Sequence, residues 1–229
     1  MTFNQIKMAL YATYLTNYFG FQLKKANSSE EKKRIRTEYS RTLLDKLHIN
    51  INVLNPEKIP QEGQYLLASN HRSIIDPLII ELAVEKSQLF GHWISKKELY
   101  NSFFFGLFVK NAGTILVDRE KKQMGGFFSD IKNCVAKGDS IYIFPEGTRN
   151  KTEKALTEFQ GGAQMIALKN RIKILPVYIK TEANSVLMNS LKSGEEFYTI
   201  DVEFGDLIDP KDRTISLEEA YKQSFNLSS

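Results

Sequence analysis

Short apolar or β-branched runs recur along the chain at INVLN (51–55), YLLAS (65–69), QLFGHWIS (88–95), GTILV (113–117), SIYIFP (140–145), IKILPVYI (172–179) and TIDVEF (199–204). Runs of this length, bounded by turn-forming residues, read as strands. Helical patterns fill most of the gaps, notably 77–86, 97–110, 121–137 and 159–170. The alternation predicts an α/β domain with a central sheet and helices packed on it. In such folds ligands gather where strands end and loops begin. The chain shows no internal repeat and no low-complexity tract.

The first fifty residues follow a different pattern. Ser28-Ser29-Glu30-Glu31 has the S-x-x-E form of a capping box, which satisfies orphan amides at a helix start. The helix it opens carries Ile35, Tyr39, Leu43 and Leu47 as one apolar stripe. Ahead of it, sixteen uncharged residues run between Lys7 and Lys24. As a helix they span roughly 24 Å, short of the ~30 Å hydrocarbon core of a bilayer. A helical wheel gathers Thr13, Thr16, Asn17 and Gly20 on one side with Lys24. Leu10, Tyr11, Tyr14, Leu15, Tyr18, Phe19 and Phe21 take the other side. The stretch FQLKKANSS lacks the cleavage site of a secretory signal. An aromatic amphipathic helix ending in lysines suits a membrane interface, the alternative being a helix packed on the main domain. The expected organisation is a helical hairpin over 1–48 that docks on membrane, followed by the α/β domain over 49–229. Removal of residues 1–25 is expected to leave that domain folded.

Charge placement bears on the same question. The 229-residue chain carries a net charge of +4, yet residues 1–50 hold nine Lys or Arg against four Asp or Glu, which is +5. The remainder therefore sums to −1, and the basic end could meet an anionic leaflet or form a solvated helix face. At 42% hydrophobic and 25% charged residues the composition is that of a folded protein. The single cysteine, Cys134, cannot form an internal disulfide. Three scattered histidines and one cysteine offer no zinc spacing. No nucleic-acid partner is expected.

The residues that could carry chemistry each follow a strand. Asn70-His71-Arg72-Ser73-Ile74-Ile75-Asp76-Pro77 comes directly after YLLAS. Pro77 suits a first helical turn, with Asp76 expected at the N-cap and His71 on the loop before it. A carboxylate turned back onto the imidazole would fix its tautomer and leave the second nitrogen free as a base. Ser73 lies between them in no G-x-S-x-G context, so the hydroxyl would have to come with the substrate. Taken alone, the pair also reads as a capping Asp and an incidental loop histidine. Gly113 to Glu120 forms a strand running into a charged turn. Phe144-Pro145-Glu146-Gly147-Thr148-Arg149 forms another. Arginines and free amides at strand ends suit a phosphate dianion, although turn-stabilising ion pairs account for each separately. Ile174-Leu175-Pro176-Val177 by itself reads as a buried strand.

In this order the four clusters resemble the glycerolipid acyltransferase family, in particular its bacterial 1-acylglycerol-3-phosphate acyltransferases. That family is marked by N-H-x4-D, G-x-I-x-V-D-R, F-P-E-G-T-R and P-V blocks. Asn70–Asp76, Gly113–Arg119, Phe144–Arg149 and Ile174–Val177 supply all four. The likeness spans roughly residues 48 to 205, with Lys96-Lys97-Glu98-Leu99 and Val202-Glu203-Phe204-Gly205 as further landmarks. The resemblance implies a central mixed sheet flanked by helices. It implies His71 and Asp76 as the catalytic pair. It also implies an acceptor-phosphate site of Arg119, Glu146, Gly147, Thr148 and Arg149, supported by Asn70, Gln160 and Gly161. The implied substrates are lysophosphatidic acid and an acyl thioester, acyl-CoA or acyl carrier protein, with no metal or bound cofactor. The implied place is the cytoplasmic face of the cell membrane. Two departures stand out. Gln160 occupies the lysine position of an F-K-x-G segment, and Ser102-Phe103-Phe104-Phe105 lacks a proline common there.

Overall fold

Seven strands pair in the order β1-β7-β6-β2-β5-β3-β4. They are β1 (Ile49–Val53), β2 (Tyr65–Ser69), β3 (Gly91–Lys96), β4 (Ile115–Val117), β5 (Ser140–Ile143), β6 (Lys173–Ile179) and β7 (Tyr198–Phe204). Residues 3–118 and 125–227 are described by this computed structural model. All pairings are parallel except β6 with β7, so the sheet is mixed as expected. Five neighbouring strands, β6 through β4 in spatial order, thus deliver their C-terminal ends to one edge. All seven strands form where apolar runs stand in the sequence, with ends shifted by a few residues.

Period-two alternation distributes the strand side chains between two cores. From β2, Leu67 enters a core with Ile79, Ile80, Leu175 and Val177, while Leu66 and Ala68 enter the opposite one with Ile131, Ile166 and Leu217. Burial on both sides explains why β2 reads as a continuous apolar run. The first core is covered by α1 (Phe3–Lys25), α2 (Ser29–Lys46), α3 (Asp76–Ala83) and α7 (Ala183–Ser193). The second is covered by α5 (Gly125–Ala136), α6 (Gly162–Asn170) and α8 (Leu217–Ser224). The helical stretch expected over 97–110 is interrupted. A 3-10 turn at Lys97–Asn101 precedes α4 (Gly106–Asn111), and Ser102 Oγ accepts the Phe105 amide at 3.2 Å to start the new turn.

The N-terminal pair of helices departs from its expected placement in an informative way. Ser28 caps α2 through the Glu31 amide at 3.1 Å, but the Glu31 side chain returns to the Asn27 amide, not to that of Ser28. In α1 the small, polar side turns inward. Thr16 is buried and its hydroxyl meets Tyr39 Oη at 2.8 Å. A Cβ at Gly20 would lie 3.0 Å from the Phe108 amide nitrogen, so glycine permits α1 to lie against α4. The apolar side is divided: Leu15, Phe19 and Leu23 enter the core, whereas Leu10, Tyr14, Tyr18 and Phe21 are exposed. The hairpin and the sheet therefore share one hydrophobic core. Removal of residues 1–25 would take Leu15, Phe19 and Leu23 out of that core. A buried ion pair reinforces the connection: Arg36 of α2 meets Glu81 of α3, and its Nη1 donates to Gly91 O at 2.8 Å.

Candidate active site

Two of the loops at the shared strand edge are joined around His71. The β2 strand ends at Ser69, and Asn70 continues its ladder with side-chain atoms. Asn70 Nδ2 donates to Ile179 O at 3.0 Å, and the Ile179 amide donates to Asn70 Oδ1 at 2.8 Å. The Asn70 amide donates to Tyr221 Oη at 3.2 Å, and that hydroxyl in turn donates to Val177 O. Burial pushes the Tyr221 phenol far above its ordinary pKa, so it stays a neutral donor. Asn70 thus closes the end of β2 onto β6 just before the chain turns out to His71.

His71 Nδ1 lies 2.8 Å from Asp76 Oδ2. The same oxygen accepts the backbone amides of Arg72 and Ser73, each at 2.7 Å. Three donors converging on one oxygen of a side chain that is 1% exposed hold the carboxylate in a single orientation. Asp76 was expected to cap its helix; instead it opens α3 and turns its carboxylate back to upstream amides. Compaction of the five-residue loop is what makes this reach possible. With Nδ1 donating to a carboxylate, the neutral ring carries its lone pair on Nε2. Nε2 has no protein hydrogen bond among the described residues, and the ring remains part-exposed. Ser73 is fully buried beneath the loop.

The loop after β5 completes the frame. Glu146, 4% exposed, accepts the His71 amide on Oε1 at 2.7 Å. Its Oε2 accepts the Thr157 amide at 2.8 Å and the Thr157 hydroxyl at 2.6 Å. The Asn150 amide donates to His71 O at 2.6 Å. Both oxygens of Glu146 are therefore engaged within the protein, so this residue contributes to the site by holding its loops. Gly147 makes the turn at φ +70°, the left-handed region that suits glycine, and Thr148 and Arg149 project into solvent beyond it. The Gln160 amide donates to Pro145 O at 2.8 Å. Its side chain is exposed, and Gly161 adjoins the start of α6. Arg119, the expected phosphate ligand, lies outside the described residues.

Several participants were not singled out by sequence reasoning. Arg72 lines a cleft of about 380 Å³ with Lys151, Thr152 and Arg149, the last of which the sequence had already put forward, beside the N-terminus of α7. Arg72 Nη2 donates to Thr152 O at 2.6 Å. Burial works against the charge of Glu182 in this cleft, but the Ser185 and Asn184 amides, with Arg72, hold its carboxyl below the usual range. Phe144 carries the His71 ring on its face, with centroids 3.9 Å apart and planes 9° apart. Nothing local marks these contacts. The α8 start carries the same S-x-x-E signal, Ser216-x-x-Glu219, and both halves of that box are formed.

An α/β sheet presenting a carboxylate-oriented histidine at its strand ends, with cationic side chains nearby, holds the groups that general-base transfer to or from a substrate hydroxyl would need. The Acyltransferase family model matches residues 50–180. This chain belongs to that family. A 1-acyl-sn-glycerol-3-phosphate acyltransferase from Helicobacter pylori is 39% identical over 144 residues, covering 61% of this chain and 55% of that protein. One of the same name from Streptococcus pneumoniae is 31% identical over 172 residues, covering 74% and 60%. The chain thus spans just over half the length of these relatives. The fold is shared with the 1-acyl-sn-glycerophosphate acyltransferase PlsC from Thermotoga maritima, at TM-score 0.69 and 21% identity over 97% of this chain and 92% of that one.

Proposed function

We propose that this protein transfers a fatty acyl group from an acyl thioester to the free hydroxyl of 1-acylglycerol 3-phosphate, giving phosphatidic acid. The observation that carries the reading is the His71 Nδ1 to Asp76 Oδ2 contact of 2.8 Å, which leaves Nε2 available. Nε2 takes the proton of the acceptor hydroxyl as its oxygen attacks the thioester carbonyl. The C–O bond forms, the C–S bond breaks, and the imidazolium returns its proton to the departing thiolate. Asp76 holds the ring through both steps and stabilises the imidazolium between them. The scheme calls on no metal or cofactor. Arg149 and Arg119 are the proposed clamps for the acceptor phosphate, with Gly147 and Thr148 shaping the turn that presents Arg149. The names of the relatives support this acceptor. Gln160, uncharged where the resemblance expects lysine, favours testing other phosphate-bearing acceptors beside it, glycerol 3-phosphate among them.

The proposed workplace is the cytoplasmic face of the membrane. No helix among the described residues is long and apolar enough to cross a bilayer. Instead, Ile6, Leu10, Tyr14, Tyr18 and Phe21 form an exposed stripe along α1, ending beside Lys24 and Lys25. Such a helix lies in the interface with its aromatic rings at headgroup depth.

Lipid product analysis tests the reaction: purified protein with lysophosphatidic acid should yield phosphatidic acid from acyl-CoA, acyl carrier protein or both, and His71→Ala should yield none. Release of free fatty acid without an acceptor would indicate a hydrolase. Undiminished product from His71→Ala would remove the proposed base.

A further inference from the structure

A single hydrogen bond to Asp76 fixes one atom of the His71 ring but leaves the ring free to swing about that contact. The direction of the Nε2 lone pair depends on the plane of the ring, and something else must set it. The described contacts supply one flat surface, the face of Phe144, lying 3.9 Å away and 9° from parallel. Phe144 itself stacks with Trp93 of β3, at 4.9 Å and 25°. The indole is fixed in turn. Its Nε1 donates to Glu81 Oε1 at 2.7 Å, and the Tyr142 ring meets it edge-on at 5.3 Å. Glu81 is held by the buried Arg36, which also lies over Phe90 at 4.8 Å.

We propose that Phe144 and Trp93 are positioning residues for His71, together setting the plane of its imidazole, and that Arg36 of the N-terminal hairpin anchors this stack through Glu81. The inference rests on the reading of His71 as the base. A point contact at Nδ1 and a plane contact on the ring face jointly determine where Nε2 points, and neither suffices alone. Proton transfer depends steeply on that direction, since misplacement by about 1 Å can cost about 100-fold in rate. The arrangement also makes the hairpin part of the catalytic scaffold: a residue of α2 reaches His71 through Glu81, Trp93 and Phe144, every link a direct contact among buried or half-buried groups.

The test compares Phe144→Leu, which fills the space without a flat face, with Phe144→Tyr, which keeps the face. Trp93→Leu and Trp93→Phe form a second pair, the latter removing only the indole N–H and part of the ring. Kinetics are measured with vesicle-borne lysophosphatidic acid at a temperature where all variants remain folded by circular dichroism. Phe144→Leu is expected to lower kcat about 10- to 100-fold while KM for donor and acceptor stays within about twofold. Phe144→Tyr should recover most of that loss, and Trp93→Phe should retain more activity than Trp93→Leu. An NMR readout independent of turnover accompanies them: the His71 ring protons should lose their ring-current shift in Phe144→Leu and keep it in Phe144→Tyr. Wild-type kcat in Phe144→Leu, or a tyrosine variant no better than the leucine one, would overturn the proposal. If His71→Ala stays active, the reading of the base fails first. If His71→Ala is inactive while Phe144→Leu is unimpaired, only the positioning role fails.

Discussion

Glu146 accepts the backbone amide of His71 at 2.7 Å, so a carboxylate from the loop after β5 holds the residue that follows β2. Its second oxygen is taken up by Thr157. Replacement by alanine would leave two half-buried amides without acceptors, at up to roughly 1–3 kcal/mol for each. Glu146→Ala is therefore expected to lower the thermal midpoint and to reduce turnover together, whereas Glu146→Gln, retaining one acceptor, should lose less of both. Thermal unfolding followed by circular dichroism checks this. An unchanged midpoint in Glu146→Ala would show that these bonds do not hold the loops.

Asp76→Asn separates charge from shape. An asparagine oxygen can keep the Arg72 and Ser73 amides, so the loop should stay folded. The neutral amide cannot stabilise the imidazolium formed during transfer, and kcat should fall by about 10²- to 10⁴-fold. Steady-state kinetics beside a melting curve decide it. A large fall in midpoint would mean that Asp76 is chiefly structural.

The Arg36–Glu81 pair is buried on both sides, with side-chain exposures of 3% and 6%. Arg36→Met strands Glu81 in the core and should cost about 3–5 kcal/mol. Combining it with Glu81→Leu should restore much of that. A residual deficit of about 1–3 kcal/mol is expected because Trp93 Nε1 then lacks its acceptor. Denaturant unfolding of the single and double variants measures both steps. A double variant no better than the single one would argue against the pair as the source of the loss.

Membrane docking is tested by substitution, since α1 also supplies core residues. Leu10 and Tyr14 are 68% and 67% exposed, so Leu10→Glu with Tyr14→Glu should leave the melting curve nearly unchanged. Co-sedimentation with anionic vesicles should drop severalfold, as apolar contact is replaced by charge repulsion. Full retention on vesicles would place the docking surface elsewhere, with Phe103, 81% exposed before α4, as the next surface to substitute.

The division between sequence and structure follows the range of the interactions. Periodicity is local, so the seven strands, the helices over α3, α5 and α6, and the loop carrying His71 and Asp76 were legible from neighbouring residues. The five-residue spacing put both groups on one strand-to-helix turn but left open a capping Asp beside an incidental histidine; the 2.8 Å contact decides between them. Helices α7 and α8 were not anticipated: α7 carries a weaker local pattern, and the capping box that opens α8 was not singled out. Arg119 was chosen on the motif alone and lies outside the described residues.

What the tertiary structure decided are contacts between distant positions. Asn70 meets Ile179 across 109 residues and Tyr221 across 151, and His71 meets Glu146 across 75. The strand order that creates these neighbours depends on long-range pairing, which no window of sequence records. The same holds for α1. Its apolar and polar sides were readable as a wheel, but which side faces inward was settled by Gly20 against α4 and Thr16 against Tyr39. The chemistry of the site was thus written in short motifs, while the plane and support of the histidine arise from packing between segments far apart along the chain.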